Sequence, residues 1–223
     1  MSRIRLYHGS EKIINKPEYK AGRIHNDYGQ GFYCTRHIEL AKEWAVDEGR
    51  DGYINTYDID TSDLKILNLN DDKYSILHWL TLLLEHRTTT MNSPVSEDGL
   101  KFLKNKYHLD ISDYDLIIGY RADDSYFSFA RAFISNSISV EQLEQSMYLG
   151  ELGEQYFVQS KKAFSKIEFL EAIPVDYAEY YPMKRVRDNK ARADFNLITN
   201  TVDKSGVYLI DLMRKEDADG TSI

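Results

Sequence analysis

The sequence predicts an α+β domain over residues 1–178 and a basic, helical C-terminal segment over 179–223. Three observations predict it. Short runs alternate apolar and polar residues with the period of a strand, as in IRLYH and YINTYD. Between them lie stretches with helical period, in an order that is not the regular strand–helix alternation of a doubly wound sheet. Beyond Pro182 the composition shifts: Lys184, Arg185, Arg187, Lys190 and Arg192 crowd together, opposed only by Asp188.

Along the chain, Ile4–His8 reads as the first strand. Residues 9–30 are rich in turn formers and read as a long loop, a length usually kept for function. Gly31–Thr35 is the second strand. His37–Glu48 follows as an amphipathic helix with Ile38, Ala41, Trp44 and Ala45 on one face and Thr35 as its cap. Tyr53–Asp58 is a strand, 73–86 and 96–107 are helices, and Tyr114–Gly119 is a buried strand. Ser125–Ser135 and Val140–Met147 are helical by period. Gln155–Gln159 is a strand, Lys161–Ile167 a helix and Phe169–Val175 a strand. Residues 207–214 are apolar enough to dock, and 215–223 read as frayed.

Composition narrows the function. The chain has 28 Lys plus Arg against 36 Asp plus Glu, a net charge of −8, which argues against broad binding to a phosphate backbone but not against a local basic patch. The N-terminus has no apolar stretch of signal-peptide length, so a cytoplasmic location is expected. The lone Cys34 excludes an internal disulfide framework and reads as a small core residue. The six histidines show no metal-ligand spacing, so no metal is expected. There is no GxGxxG, P-loop, HExxH or GxSxG. Tyr outnumbers Phe 17 to 9, which suits positions that need an aromatic face and a polar tip.

What remains is a constellation. Tyr7-His8-Gly9-Ser10 ends the first strand. Asp27-Tyr28-Gly29-Gln30-Gly31-Phe32-Tyr33 is a tight turn entering the second, and Trp44 follows Tyr33 by eleven residues. Tyr33 and Trp44 can place two aromatic faces around a flat cationic ring. Gly9 lets a ligand approach the backbone, and His8 can hydrogen-bond a ribose hydroxyl. Singly, each of these residues also has an ordinary strand or core explanation.

Together, YHGS and GQGFYCT…EW resemble the His–Tyr–Glu branch of the ADP-ribosyltransferase superfamily, which includes the poly(ADP-ribose) polymerases and diphtheria-type toxins. The resemblance covers about residues 4–175. It extends to an uncharacterised bacterial domain family within the branch that shares the LYHGS, YGxGFY and IIGxxADD segments. It implies a split antiparallel β-sandwich with flanking helices and a helical insertion at about 72–108. It implies an NAD-dependent transfer of ADP-ribose to a protein or nucleic-acid acceptor, by a bacterial toxin or defence effector. His8 would contact the nicotinamide ribose, the Gly9 backbone the carboxamide, with Ser10 beside it, and Tyr33 and Trp44 the nicotinamide ring. The branch's catalytic glutamate precedes an aromatic residue. That position here holds Gln155, which keeps the hydrogen bond but neither charge nor basicity. Glu154 is adjacent but on the opposite face of a strand.

A substitute base is therefore sought among Asp123, Asp124 and Glu154, with Arg121 available to a pyrophosphate. One of the two aspartates also suits a helix cap. The cations at 184–192 suit either a solvated helix face or contact with nucleic acid or an acidic partner such as an antitoxin. Two alternatives stay open: an NAD glycohydrolase, and a degenerate domain that binds NAD, ADP-ribose or a partner without turnover.

Overall fold

The computed structural model describes residues 3–87, 93–122 and 124–220. The chain is α+β, with two sheets and eight helices among these residues. The first sheet joins β1 (Arg3–Ser10), β3 (Gly52–Asp60) and β7 (Ile167–Val175) in the order β1-β3-β7, all antiparallel. The second has the order β2-β6-β5-β4, from β2 (Phe32–Cys34), β4 (Ile66–Asn68), β5 (Leu116–Tyr120) and β6 (Glu154–Val158). Only β4 and β5 pair in parallel. One antiparallel bridge links the sheets: Tyr7 N–H donates to Thr35 O at 2.8 Å, and Thr35 N–H to Tyr7 O at 2.9 Å.

The period of two decides where each side chain goes. Phe32, Cys34, Leu116, Tyr156 and Val158 point to one face of the second sheet and pack against Leu6, Tyr57 and Ile59 of the first. Tyr33, Ile117 and Phe157 point to the other face, against the helices. That helical layer consists of α2 (Ile76–His86), α3 (Pro94–Tyr107), α4 (Asp124–Ile134) and α5 (Val140–Met147), and Trp79, Leu80, Phe129 and Phe133 are fully buried in it. α1 (Ile38–Ala45) lies instead on the first sheet. Gly9 and Gly52 face it so closely that a Cβ would sit 2.0 Å from Ala41 O or 1.9 Å from Ala45 O.

Several expectations change at element ends. The helix expected over Lys161–Ile167 is only α6 (Lys161–Phe164), because Ile167 pairs with Ile59 and opens β7. Thr35 does not cap α1. His37 occupies the cap position, and Thr35 Oγ1 accepts from His37 N–H at 3.2 Å. β4 has three residues and no alternation to reveal it. The C-terminal segment is not a separate appendage in packing. It forms α7 (Tyr177–Thr199) and α8 (Leu209–Gly220), whose Phe195 and Leu209 join the core of α2–α5. Gln142 of α5 donates to Ile198 O and Thr201 O, tying down the end of α7. Among the described residues, no helix is long and apolar enough to cross a membrane.

Leu209 is completely buried against Gly99. Leu209→Ala is expected to cost about 2–5 kcal/mol, the range for a buried Leu truncated to Ala. Urea unfolding checks this; a loss under about 0.5 kcal/mol is what an undocked tail would give.

Candidate functional site

A cleft of about 1090 Å³ opens where the two sheets part. His8, Gly9, Tyr33, Trp44, Arg121 and Gln155 all line it, so four segments distant in sequence meet there. The ladder between β1 and β2 stops after the Tyr7–Thr35 bridge. The His8 ring then takes over: Nδ1–H donates to Tyr33 O at 2.7 Å, and the ring packs on Phe32 at 4.4 Å. A carbonyl only accepts, so Nδ1 carries the proton and Nε2 of the neutral ring is an acceptor. Burial lowers the His8 pKa, with the bond to Tyr33 O working the other way.

Tyr33 is held by its hydroxyl. It donates to Gly29 O at 2.7 Å and accepts from Tyr28 N–H at 3.0 Å, and its ring stacks on Phe157 at 4.8 Å. The ring's remaining face, not the hydroxyl, is left for contact. Burial pushes the Tyr33 phenol well above its ordinary pKa, so it stays neutral. Gly29 has φ +93°, which suits glycine and lets the turn bring its carbonyl to Tyr33.

Trp44 and Arg121 stack on each other, with the guanidinium carbon 3.9 Å from the ring centroid. The two side chains thus form one unit rather than separate contacts to the ring and the pyrophosphate. Gly9 lines the cleft, but α1 is what requires a glycine there. Ser10 does not line the cleft; its hydroxyl accepts from Asn55 Nδ2 at 3.0 Å and donates to Lys12 O at 2.6 Å. Glu154 sits on the other face of β6, taking Asn70 Nδ2 at 2.6 Å. Asp123 and the side chain of Asp124 lie outside the described residues. Cys34 is buried in the core between the sheets, where burial raises its thiol pKa.

The basic residues divide. Lys184, Arg187 and Arg192 line the cleft. Arg187 Nη2 pairs with the buried Glu43 of α1 at 2.6 Å, and Lys184 donates to Val46 O at 3.1 Å. Arg185 stacks over Tyr181 and Lys190 pairs with Asp194, both outside the cleft lining.

The centre of the site is a group that sequence reasoning missed. The Asp27 carboxylate is 2% exposed. Its Oδ1 accepts from Arg87 Nε at 2.8 Å and lies 2.7 Å from Arg87 Nη2. Its Oδ2 accepts from Ala122 N–H at 3.0 Å and from Gln155 Nε2 at 2.9 Å. The only sequence signal was an Asp before a glycine turn, which reads as turn chemistry. Arg87, at the end of a helix, reads as a favourable partner of the helix dipole.

Residues 4–169 match the model of a family described as "Protein of unknown function (DUF3990)". The chain belongs to this family. No curated protein and no solved structure matches it. The DUF3990 match runs from within β1 to the first three residues of β7, and takes in His8, Asp27, Tyr33, Arg87 and Gln155. α7 lies beyond it, so Lys184, Arg187 and Arg192 are contributed to the cleft from outside the matched residues.

Arg87→Met leaves the Asp27 charge buried without its cation. A loss of about 3–5 kcal/mol is expected, measured by denaturant unfolding. NMR titration of the His8 ring is expected to give a midpoint below the ordinary ~6.5. The sign follows: folding favours the neutral ring, so this group costs stability as pH falls below the unfolded pKa towards the lower folded value.

Proposed function

We propose that this chain is an NAD-dependent ADP-ribosyltransferase, a toxin or defence effector that transfers ADP-ribose from NAD to a macromolecular acceptor in the cytoplasm. The observation that carries the reading is the convergence of His8, Tyr33 and Gln155, singled out by separate motifs, on one cleft. The cleft's volume of about 1090 Å³ is slightly above the roughly 300–1,000 Å³ of drug-sized ligand pockets, which suits a dinucleotide. Two packed sheets, mostly antiparallel and parting at the cleft, suit the split β-sandwich of that superfamily.

In this reading the bond from the ribose anomeric carbon to the nicotinamide nitrogen breaks, and nicotinamide leaves with the bonding pair. The acceptor's nucleophile then bonds that carbon and loses its proton to water. His8 Nε2 accepts from a ribose hydroxyl, the Gly9 backbone takes the carboxamide, and the open face of Tyr33 carries the nicotinamide ring. Arg121, which lines the cleft and stacks on Trp44, would in this reading meet the pyrophosphate. The role as a toxin rests on the kind of protein the sequence resembles. A second reading, binding without turnover, is favoured by one observation: the position of the branch's glutamate holds an amide, Gln155.

Label transfer from NAD bearing a labelled adenylate, in a bacterial lysate, distinguishes them. The expected result is label in one macromolecular fraction, lost by at least about a hundredfold in His8→Ala and Tyr33→Ala, the scale of removing a positioned catalytic contact. Free ADP-ribose alone identifies a glycohydrolase. Intact NAD that nevertheless binds identifies a binding domain.

A further inference from the structure

We infer that Asp27 is a positioning residue for Gln155, and that the Asp27–Gln155 pair does together what the resemblance assigns to one glutamate. The inference rests on the transferase reading above. Gln155 is 3% exposed and lines the cleft. Its amide nitrogen donates to two groups, Asp27 Oδ2 at 2.9 Å and Tyr120 O at 3.0 Å. Both only accept, because Asp27 is ionised against Arg87 and Tyr120 O is a main-chain carbonyl. The amide therefore has one orientation, and turning it over would set an oxygen against two oxygens. Tyr120 O is itself fixed by Tyr28 Oη at 2.7 Å and Trp79 Nε1 at 3.0 Å.

In that orientation no hydrogen bond from a described residue ends on Gln155 Oε1, and the residue lines the cleft, so we assign Oε1 as the acceptor offered to the ribose. A carboxylate drawing on an amide N–H pushes electron density to the amide oxygen, so the bond chain strengthens Oε1 as an acceptor. Negative charge then stands one amide beyond the reacting ribose, held by Arg87 on Oδ1 and by Ala122 N–H on Oδ2. The same geometry explains why position 155 is not Glu. A carboxylate there would place an oxygen within about 3 Å of both the Asp27 carboxylate and Tyr120 O, and two carboxylates at that range cannot both ionise. Tyr28 and Tyr33, whose phenols feel the Asp27 charge, are kept neutral by burial, and Arg87 is the cation paired with Asp27.

The test compares wild type, Asp27→Asn, Gln155→Glu and the double variant in NAD binding and nicotinamide release, with thermal melts for each. Asp27→Asn is expected to lose about tenfold to a hundredfold in kcat, the scale of a charged hydrogen bond, with KM for NAD within about twofold. Gln155→Glu is expected to gain a pH limb that the wild type lacks. It turns over at acid pH, where its carboxyl is protonated and can donate to Asp27, and loses activity as pH rises through that raised pKa. Adding Asp27→Asn moves the limb to lower pH. A merely structural Asp27 would change melting temperature but create no such limb. If Asp27→Asn does not fold, the Gln155→Glu profile decides. A wild-type kcat in folded Asp27→Asn, or a wild-type pH profile in Gln155→Glu, overturns the inference and leaves the transferase reading standing. A wild-type protein that neither binds NAD nor releases nicotinamide overturns the transferase reading, and this inference with it.

Discussion

The buried Asp27 carboxylate is the constraint around which the site is organised. Taking an unpaired carboxylate out of water costs many kcal/mol, so such a group persists only where donors replace its hydration. Here the donors come from three separate places: Arg87 at the end of α2, the Ala122 amide after β5, and Gln155 near the start of β6. Asp27 itself belongs to the long loop before β2. One carboxylate thus fastens the loop to the second sheet and to the helical layer behind it. Arg87 closes the arrangement by also donating to Ala122 O at 2.7 Å.

The loop is ordered by the same principle at smaller scale. Gln30 Nε2 donates to Lys20 O and Gly22 O, Asn55 Oδ1 accepts from Ile14 N–H, and Tyr57 Oη donates to Ile14 O. Such side chains stand in for the strand or helix partners that irregular backbone lacks. The abundance of tyrosine acquires a reason here. Tyr28, Tyr33 and Tyr57 each fill apolar space with a ring and spend the hydroxyl on a main-chain carbonyl. A phenylalanine would fill the same space but make none of these bonds.

The position of the cleft follows from the sheets. Among the described residues they share a single bridge, at Tyr7 and Thr35. Side chains next to the bridge, His8 and Tyr33, stand between two rigid scaffolds while remaining accessible from the gap. α1 is brought to that gap because glycines at 9 and 52 let its backbone approach closer than any Cβ permits. α7 then lays Lys184, Arg187 and Arg192 along the gap, with Arg187 anchored on Glu43 of α1. Burial raises the Glu43 pKa while the Arg187 guanidinium beside it draws it back down. The cations that read as a free arm are in part a wall of the site.

The sequence by itself determined the α+β class and most of the elements, and picked out several residues that line the candidate site, for a local reason. Period two and period 3.6 are properties of neighbouring residues, and the α5 boundaries at Val140 and Met147 were legible to the residue. His8, Tyr33 and Gln155 were legible because their motifs are short and contiguous. Tertiary structure decided what depends on a partner far along the chain. β4 exists because Ile66–Asn68 finds β5, and Leu209 is core because it finds Gly99. Trp44 faces Arg121, and Asp27 finds Arg87 and Gln155, across separations no window of sequence spans. An isolated Asp or Arg looks alike in a turn, on a surface or in a buried ion pair, since what distinguishes these is desolvation, and desolvation exists only once the chain has folded around the charge.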